Sequence, residues 1–594
     1  MVTIAGLATS RGFAAGTVFL YSSANAVSIP EFEIEEGQVE AELSRYRVAR
    51  AETRRQLEAL SVELRERLPN GPDIFENHLL LFNDASVIAD HERLIREEHL
   101  NAEAAIRRTT DVFRAMFGRM KDPYLRERVR DLDDIERRLL RVLVGREDNA
   151  FSLITSPVIV VADDLTPSET ISLPRGLILG FATERGSTTS HVALLARALG
   201  IPAVVGLAGI TSRVHAGDHV LLDGTNGAVT VNPDAATYAD FERLVSREHE
   251  LRELLAEDKA HAGAMKDGTP VALRANVQPG VPLGCLSSFG AQGIGLYRSE
   301  YLWLGADRNP TEEEQYAAYA EAVTAVAAMG GDARAVFRVL DLGGDKMMRS
   351  FATNETNPFL GCRSIRWLLS HRDVFRTQLR AILRASALGP SAIMYPMVAT
   401  REELREANLE VANMMQELRT AGIAFDEHIL RGCMVEIPSA ALNAPVFAKE
   451  VDFFSIGTND LVQYTMAADR GNEQVSYLYQ PANPAVVKLV DMTIRAARAA
   501  GIPVAVCGES ASDPVFGVLW VALGATSLSM SAGFIPVIKK TLRALTSAEV
   551  AELAAQVRAR LDDLSAAEVY ALCRDFLISK VPQLEEIQSM FISS

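Results

Sequence analysis

Gly293-Ile294-Gly295-Leu296-Tyr297-Arg298-Ser299-Glu300 is a short apolar run that opens on glycine and closes on a guanidinium and a carboxylate. Seven runs of similar build accompany it: Val271–Val277 before it, then Val336–Leu342, Ile393–Met397, Cys433–Ile437, Phe453–Ile456, Val504–Cys507 and Ser527–Met530. Each is near-continuously apolar and too short for a buried helix, which is the pattern of a strand covered on both faces. Helix-period stretches separate the runs. Eight such βα units in succession predict an eight-stranded parallel (β/α)8 barrel of the TIM type.

Barrels of this kind place their chemistry at the C-terminal ends of the strands. Arg298 and Glu300 follow the second run, Arg338, Asp341 and Lys346 span the third, and Glu436 ends the fifth. Asn459 and Asp460 follow the sixth, Cys507 ends the seventh, and Arg363 comes from the segment between the third and fourth. Guanidinium forks grip carboxylates and phosphates bidentately, and paired carboxylates suit a hard divalent cation. The rim therefore reads as a phosphate-ester site. Taken singly, each arginine serves as well to pair a nearby acid, Glu436 and Asp460 as rim salt-bridge partners, and Cys507 as a small buried hydrophobe.

Upstream, Gly186-Ser187-Thr188-Thr189-Ser190-His191 runs straight into Val192-Ala193-Leu194-Leu195-Ala196-Arg197 and puts an imidazole at a predicted helix start. Hydroxyl caps, free N–H groups and the positive end of the helix dipole favour a dianion on or beside that ring. A histidine there also serves packing or plain hydrogen bonding. Strands expected at Val158–Val161, Gly176–Leu179, His219–Leu222 and Ala228–Val231 alternate with this helix and predict a compact α/β unit. Residues 1 to about 22 alternate like a strand pair. Glu36 to Asp148 has helical period, with Leu57, Leu60, Leu64 and Leu68 three and four apart, and predicts a helical bundle inserted into the unit. Ala235 to Ala262 is one charged amphipathic helix with Phe241, Leu244, Leu251 and Leu255 on one side, read as a linker.

At 594 residues the chain is too long for a single core. Its hydrophobic fraction of 48% and charged fraction of 23% exclude a disordered, collagen-like or disulfide-scaffold class. A net charge of −17 argues against nucleic acid or an anionic membrane as partner. Cys285, Cys362, Cys433, Cys507 and Cys573 show no C-x-x-C spacing and no paired framework, which fits a reducing cytoplasm. No targeting segment and no apolar stretch long enough to span a membrane are read; the longest lies around Val515 to Ala525.

The stretch from Gly186 through Arg197 to Ile201-Pro202-Ala203 resembles the phosphohistidine motif of the phosphoenolpyruvate-utilising enzymes, as does Asp164–Thr170 ahead of it. The resemblance continues through Gly293–Glu300, Asp341–Lys346, Asn357–Arg363, Asp452–Asp460, Thr465–Arg470 and Cys507-Gly508-Glu509, to about residue 580. Ser187 departs from it, standing where the family usually has a second glycine, so a slightly altered loop is expected.

The resemblance implies a phosphohistidine α/β domain (1–22 and 149–231), an inserted helical phosphocarrier-binding subdomain (23–148), a helical linker (232–262), a phosphoenolpyruvate-binding and dimerising TIM barrel (263–580) and a tail (581–594). His191 is then the nucleophile, supported by Thr170, which hydrogen-bonds it, and by Arg197. Arg298, Arg338, Arg363 and Arg470 clamp phosphate and carboxylate, Lys346 and Asn459 add contacts, Glu436 and Asp460 hold Mg2+, and Cys507 protonates the enolate. Members of the phosphotransferase-system branch pass the group to a small histidine-containing phosphocarrier protein and form homodimers. Ile74–Leu81 resembles part of the carrier-docking surface, with an unusual residue at Asn77. If its apolar side chains are exposed they suit docking; otherwise they close the bundle. Because His191 serves two sites, a swivel about the linker is expected.

A dikinase of the same family needs an ATP-binding region ahead of the histidine domain, and no phosphate-gripping glycine loop is found in the roughly 150 residues available. A non-catalytic scaffold is the other alternative, and intact His191, Arg298, Glu436, Asp460 and Cys507 speak against it. The lack of an N-terminal sensory domain favours sugar uptake over nitrogen-type regulation.

Overall fold

Two units make up the computed structural model, Met1–Arg247 and Glu248–Ser594. The structure describes residues 1–21, 30–67, 74–118, 123–145, 150–174, 176–187, 191–259, 261–303, 308–342, 357–469, 472 and 474–583.

The first unit carries an eight-stranded mixed sheet. Its strands are β1 (Val2–Ala5), β2 (Leu7–Ser10), β3 (Phe13–Tyr21), β4 (Val158–Ala162), β5 (Ile178–Thr183), β6 (Ala203–Val205), β7 (His219–Asp223) and β8 (Ala228–Val231). They lie in the order β1-β8-β7-β3-β4-β5-β6-β2, and β3 to β6 run parallel to one another. The expected N-terminal pair is thus three strands, interrupted at Gly6 and at Gly12, whose φ of +120° suits glycine. The strand expected at Gly176–Leu179 starts two residues later and runs on to Thr183. Gly176 has φ +76° and belongs to the turn before it.

Five helices form the expected bundle: α1 (Val39–Arg67), α2 (Ile74–Phe82), α3 (Ala85–Glu97), α4 (Ala102–Gly118) and α5 (Pro123–Val144). Two more follow β4 and β5, α6 (Pro167–Ile171) and α7 (His191–Leu199). Ile171 and Leu195 join the bundle's own apolar core beside Leu43, Tyr46 and Phe75, while Val192 and Ala196 of α7 face the core of the sheet. The helix that starts at His191 is therefore wedged between sheet and bundle. The charged amphipathic stretch is α8 (Ala235–Glu257), with Phe241 packed edge-on to Phe13.

All eight strands expected in the second unit are present: β9 (Ala272–Val277), β10 (Ile294–Arg298), β11 (Ala335–Arg338), β12 (Ser391–Tyr395), β13 (Leu430–Val435), β14 (Phe453–Ile456), β15 (Val504–Val506) and β16 (Ser527–Met530). Parallel throughout, they close into a barrel as β16 pairs β9. Reciprocal capping boxes start the covering helices Glu312–Ala327, Arg401–Thr420, Ser547–Arg560 and Ala566–Lys580. Alternation along each strand separates two cores: Ile393 and Tyr395 of β12 pack with the outer helices, whereas Ala392 and Met394 join Leu296, Val336, Met434, Phe453 and Cys507. Among the described residues no helix is long and apolar enough to cross a membrane.

Candidate active site

The strand ends of the barrel enclose one cavity of about 100 Å3, lined by Arg298, Arg338, Arg363, Glu436, Asn459, Asp460 and Cys507. Every one of these is a residue the sequence marks as chemical, drawn from five strands and the loops that follow them. Lys346 and Arg470 lie outside the described residues. β11 ends at Arg338, earlier than expected, so Asp341 belongs to the loop beyond it.

Register explains the cationic wall. Arg298 on β10 stands beside Arg338 on β11, at the same level of the barrel. Arg338 is only 8% exposed. Its Nη2 donates to Glu300 Oε1 at 2.6 Å and its Nη1 lies 3.1 Å from Asp341 Oδ2. Arg363 Nη2 donates to Asp341 Oδ1 at 3.0 Å and lies 3.8 Å from Asp460 Oδ2; its Nη1 donates to the Tyr464 hydroxyl at 3.2 Å. Burial works against both guanidinium charges, but the facing carboxylates outweigh it and hold both above the ordinary arginine range. Asp341 likewise sits below the usual carboxylate range, since Arg338 and Arg363 overcome its burial. The Nε atoms of both arginines are buried with no hydrogen-bond partner among the described residues. Charge and donors are thus in place for an anion.

Glu436 follows β13, 2% exposed, and its Oε1 accepts from the Met397 amide at 2.6 Å. Burial first, then the charges of Asp460 and Asp341, push its carboxyl well above the ordinary range. Such crowding is relieved by a cation. Gly457 keeps the space beside it open: a Cβ there would lie 2.9 Å from Glu436 Oε2. Among the described residues no cluster of three or more His, Cys, Asp and Glu side chains surrounds a point. A cation here would rest on Glu436 and Asp460 and fill its shell with water and substrate oxygens, which is how magnesium is commonly held.

Asp460 and Asn459 sit in the first turn of the helix Thr458–Met466, and Asn459 Oδ1 accepts from the Glu509 amide at 3.1 Å. Cys507 is 3% exposed; its Sγ points to Ile456 O at 3.6 Å and burial pushes the thiol up to about 11. It therefore stays protonated at neutral pH. The sequence reading passed over Asn276, which donates from Nδ2 to Cys507 O at 3.0 Å and accepts from Ser529 at 2.6 Å, and Tyr464, which joins Arg363 to Phe359 O. Tyr464 lies within the helix Thr458–Met466, away from any strand end, whereas Asn276 is the penultimate residue of β9 and its place at that strand's C-terminal end was the signal that could have found it.

In the first unit His191 is the first residue of α7. Its side chain and residues 188–190 lie outside the described residues. Gly186 carries φ +128°, whereas Ser187 is not among the described non-glycine residues with positive φ, so the serine keeps an ordinary backbone. Thr170 is buried in α6 and its hydroxyl donates to Thr166 O at 2.9 Å; Pro167 stands at N1 behind a Thr166–Glu169 capping box. Arg197, in the last turn of α7, is exposed. On α2, Phe75 and His78 are fully buried, so Phe75 closes the bundle instead of lying exposed for docking.

Known proteins agree with this layout. Models of the PEP-utilising enzymes match in three parts: the N-terminal domain over residues 5–128, the mobile domain over 154–227 and the PEP-binding domain over 252–547. A phosphoenolpyruvate-protein phosphotransferase of Geobacillus stearothermophilus is 43% identical over 559 residues, 93% of this chain and 94% of that protein. One from Bacillus sp. (strain S) is 42% identical over the same length and shares. That of Bacillus subtilis (strain 168) is 42% identical over 532 residues, 88% of this chain and 92% of its own. With all three parts present and nearly the whole length of such relatives covered, the chain belongs to the family of PEP-utilising enzymes.

Proposed function

We propose that this chain is a phosphoenolpyruvate–protein phosphotransferase that phosphorylates itself on His191 and passes the group to a histidine of a small phosphocarrier protein, the first step of a phosphotransferase system. The observation that carries this reading is the barrel-end cavity in which Arg298, Arg338 and Arg363 face Glu436, Asp460 and a protonated Cys507. Its relatives' names support the same reaction.

Phosphoryl transfer asks a protein chiefly for positioning and for charge opposite the transferred group. The arginines bind the phosphate and carboxylate of the substrate, and the Nε atoms of Arg338 and Arg363, without a partner among the described residues, are donors to spare. Neutral imidazole attacks phosphorus and the bond from phosphorus to the enol oxygen breaks, leaving its electron pair on the enolate. The Cys507 thiol then gives its proton to the methylene carbon, yielding pyruvate and a thiolate beside Arg338 and Arg298. Glu436 and Asp460 would hold Mg2+, which when bound neutralises charge on phosphate and enolate oxygens. Lys346, Asn459 and Arg470 would add substrate contacts, and Thr170 and Arg197 would steady the imidazole. Since His191 must serve both the barrel cavity and the phosphocarrier, the reading includes a swivel, for which α8, spanning the boundary between the two units, is the natural pivot. A homodimer through the barrel, a cytoplasmic location and service to sugar uptake complete the reading.

Incubation with 32P-labelled phosphoenolpyruvate and magnesium tests it. Acid-labile, base-stable label on the wild type, none on His191→Ala, and transfer to an added phosphocarrier are expected. Label acquired from ATP instead would point to a dikinase, and no label from either donor to a scaffold.

A further inference from the structure

The proton that Cys507 gives must reach the methylene carbon, C3, of the substrate, so C3 lies against the Cys507 thiol if the proposed function holds. Two side chains share both surroundings of that thiol. Leu296 of β10 and Met434 of β13 line the same cavity as Cys507 and pack with it in the barrel's inner apolar core. Leu296 is 3% exposed and Met434 1%. The Met434 thioether marks the seam between charge and apolar floor, with Sδ 3.9 Å from Arg338 Nη1. Val336, Met394 and Phe453 belong to the same cluster and leave it no room to retreat. A Cβ at residue 457 would stand 3.2 Å from Sδ, so any side chain there would crowd the thioether.

We infer that Leu296 and Met434 form the subsite for C3 and set its size, admitting an unsubstituted methylene and rejecting phosphoenol carboxylates with alkyl groups on C3. Arginines that grip the phosphate and carboxylate are indifferent to such a substituent; only the apolar floor senses it. Discrimination of one methylene in an apolar pocket is worth roughly 10- to 200-fold.

The test compares phosphoenolpyruvate with its (Z)-C3-methyl and (Z)-C3-ethyl homologues, measuring kcat/KM for release of the 2-oxo acid with magnesium and phosphocarrier present. Met434→Ala and Leu296→Ala are expected to move the ratio toward the ethyl homologue by about 10- to 100-fold, with Met434→Leu restoring the wild-type preference. Leu296→Val, which shortens the wall by one carbon, guards against a truncation that does not fold and is expected to shift the ratio by several-fold in the same direction. Ratios unchanged within twofold, in variants that melt normally and label from phosphoenolpyruvate, overturn the subsite alone. A wild type that takes no label from phosphoenolpyruvate overturns the proposed function, and the subsite with it.

Discussion

Arg338 shows how a charge is kept ready in a buried place. Removed from water, its guanidinium survives because Glu300, fully buried, accepts from it at 2.6 Å and Asp341 stands 3.1 Å away. Removing one partner of a buried pair costs about 3–5 kcal/mol, since the other charge is left uncompensated. Glu300→Gln is therefore expected to lower the stability of the barrel by about 3 kcal/mol in urea unfolding and to raise KM for phosphoenolpyruvate, and a variant as stable as wild type would refute the pairing. Backbone strain is spent in the same place. Ser364 (φ +53°) and Met397 (φ +56°) are among the few described non-glycine residues with positive φ, and they donate to Asp341 and Glu436. Arg298 and Arg338 were legible in the sequence because each closes or lies within an apolar run, and position along a strand decides exposure at a barrel mouth, whereas Arg363 comes from the segment between two runs. What braces them was not legible. Asn276 is bound to Ser529, 253 positions on, and Arg363 to Tyr464, 101 positions on; only closure of the barrel makes those pairs neighbours.

At the scale of elements, all eight barrel strands were readable as apolar runs, but their ends were not. β11 stops at Arg338 although apolar Val339 and Leu340 carry the run past it, and β13 begins at Leu430, ahead of the expected Cys433, because Arg431 and Gly432 interrupt its apolar start. The sheet of the first unit was read less well. β6 is only three residues long, and the positive φ that moves Gly176 out of β5 depends on a turn that apolar patterning does not report. Joints between elements matter most for the site, and the tightest is that between the loop after β15 and the helix Thr458–Met466. A Cβ on Gly508 would fall 1.9 Å from Thr458 Oγ1 and 2.8 Å from Thr458 N. Thr458 is held to Ser510 at 2.8 Å, and Asn459 accepts the Glu509 amide. Gly508→Ala must push that helix start away and carry Asn459 and Asp460 with it. Loss of magnesium-dependent labelling by roughly 100-fold or more is expected, with far-ultraviolet circular dichroism unchanged, because a misplacement near 1 Å costs that much in a positioned reaction. Full activity in the alanine variant would show that the helix start does not place the carboxylate.

Across the whole molecule, each unit has apolar cores of its own, among the described residues three in Met1–Arg247 and two in Glu248–Ser594. His91 of α3 is buried in the bundle, its Nδ1 paired with the Tyr46 hydroxyl at 2.7 Å and its Nε2 without a partner among the described residues. Burial, helped by Arg50, pulls its imidazole down to about 4. The folded bundle thus keeps His91 neutral where an unfolded chain would protonate it below its ordinary value near 6.5. The stability this confers is complete above about pH 6.5 and falls away as pH drops toward 4, by roughly 3 kcal/mol over the window. His261, His371 and His428 of the barrel lie exposed at its surface. Calorimetry is therefore expected to resolve two transitions. Acidification from pH 7 to 5 lowers the one belonging to the bundle-bearing unit, and His91→Gln flattens that dependence. Phosphoenolpyruvate with magnesium raises the other, by about 2.7 kcal/mol at a hundredfold excess over Kd. A single transition that acid and substrate shift together would mean that the two units unfold as one, and that no part of the chain is free to carry an imidazole from a barrel to a partner protein.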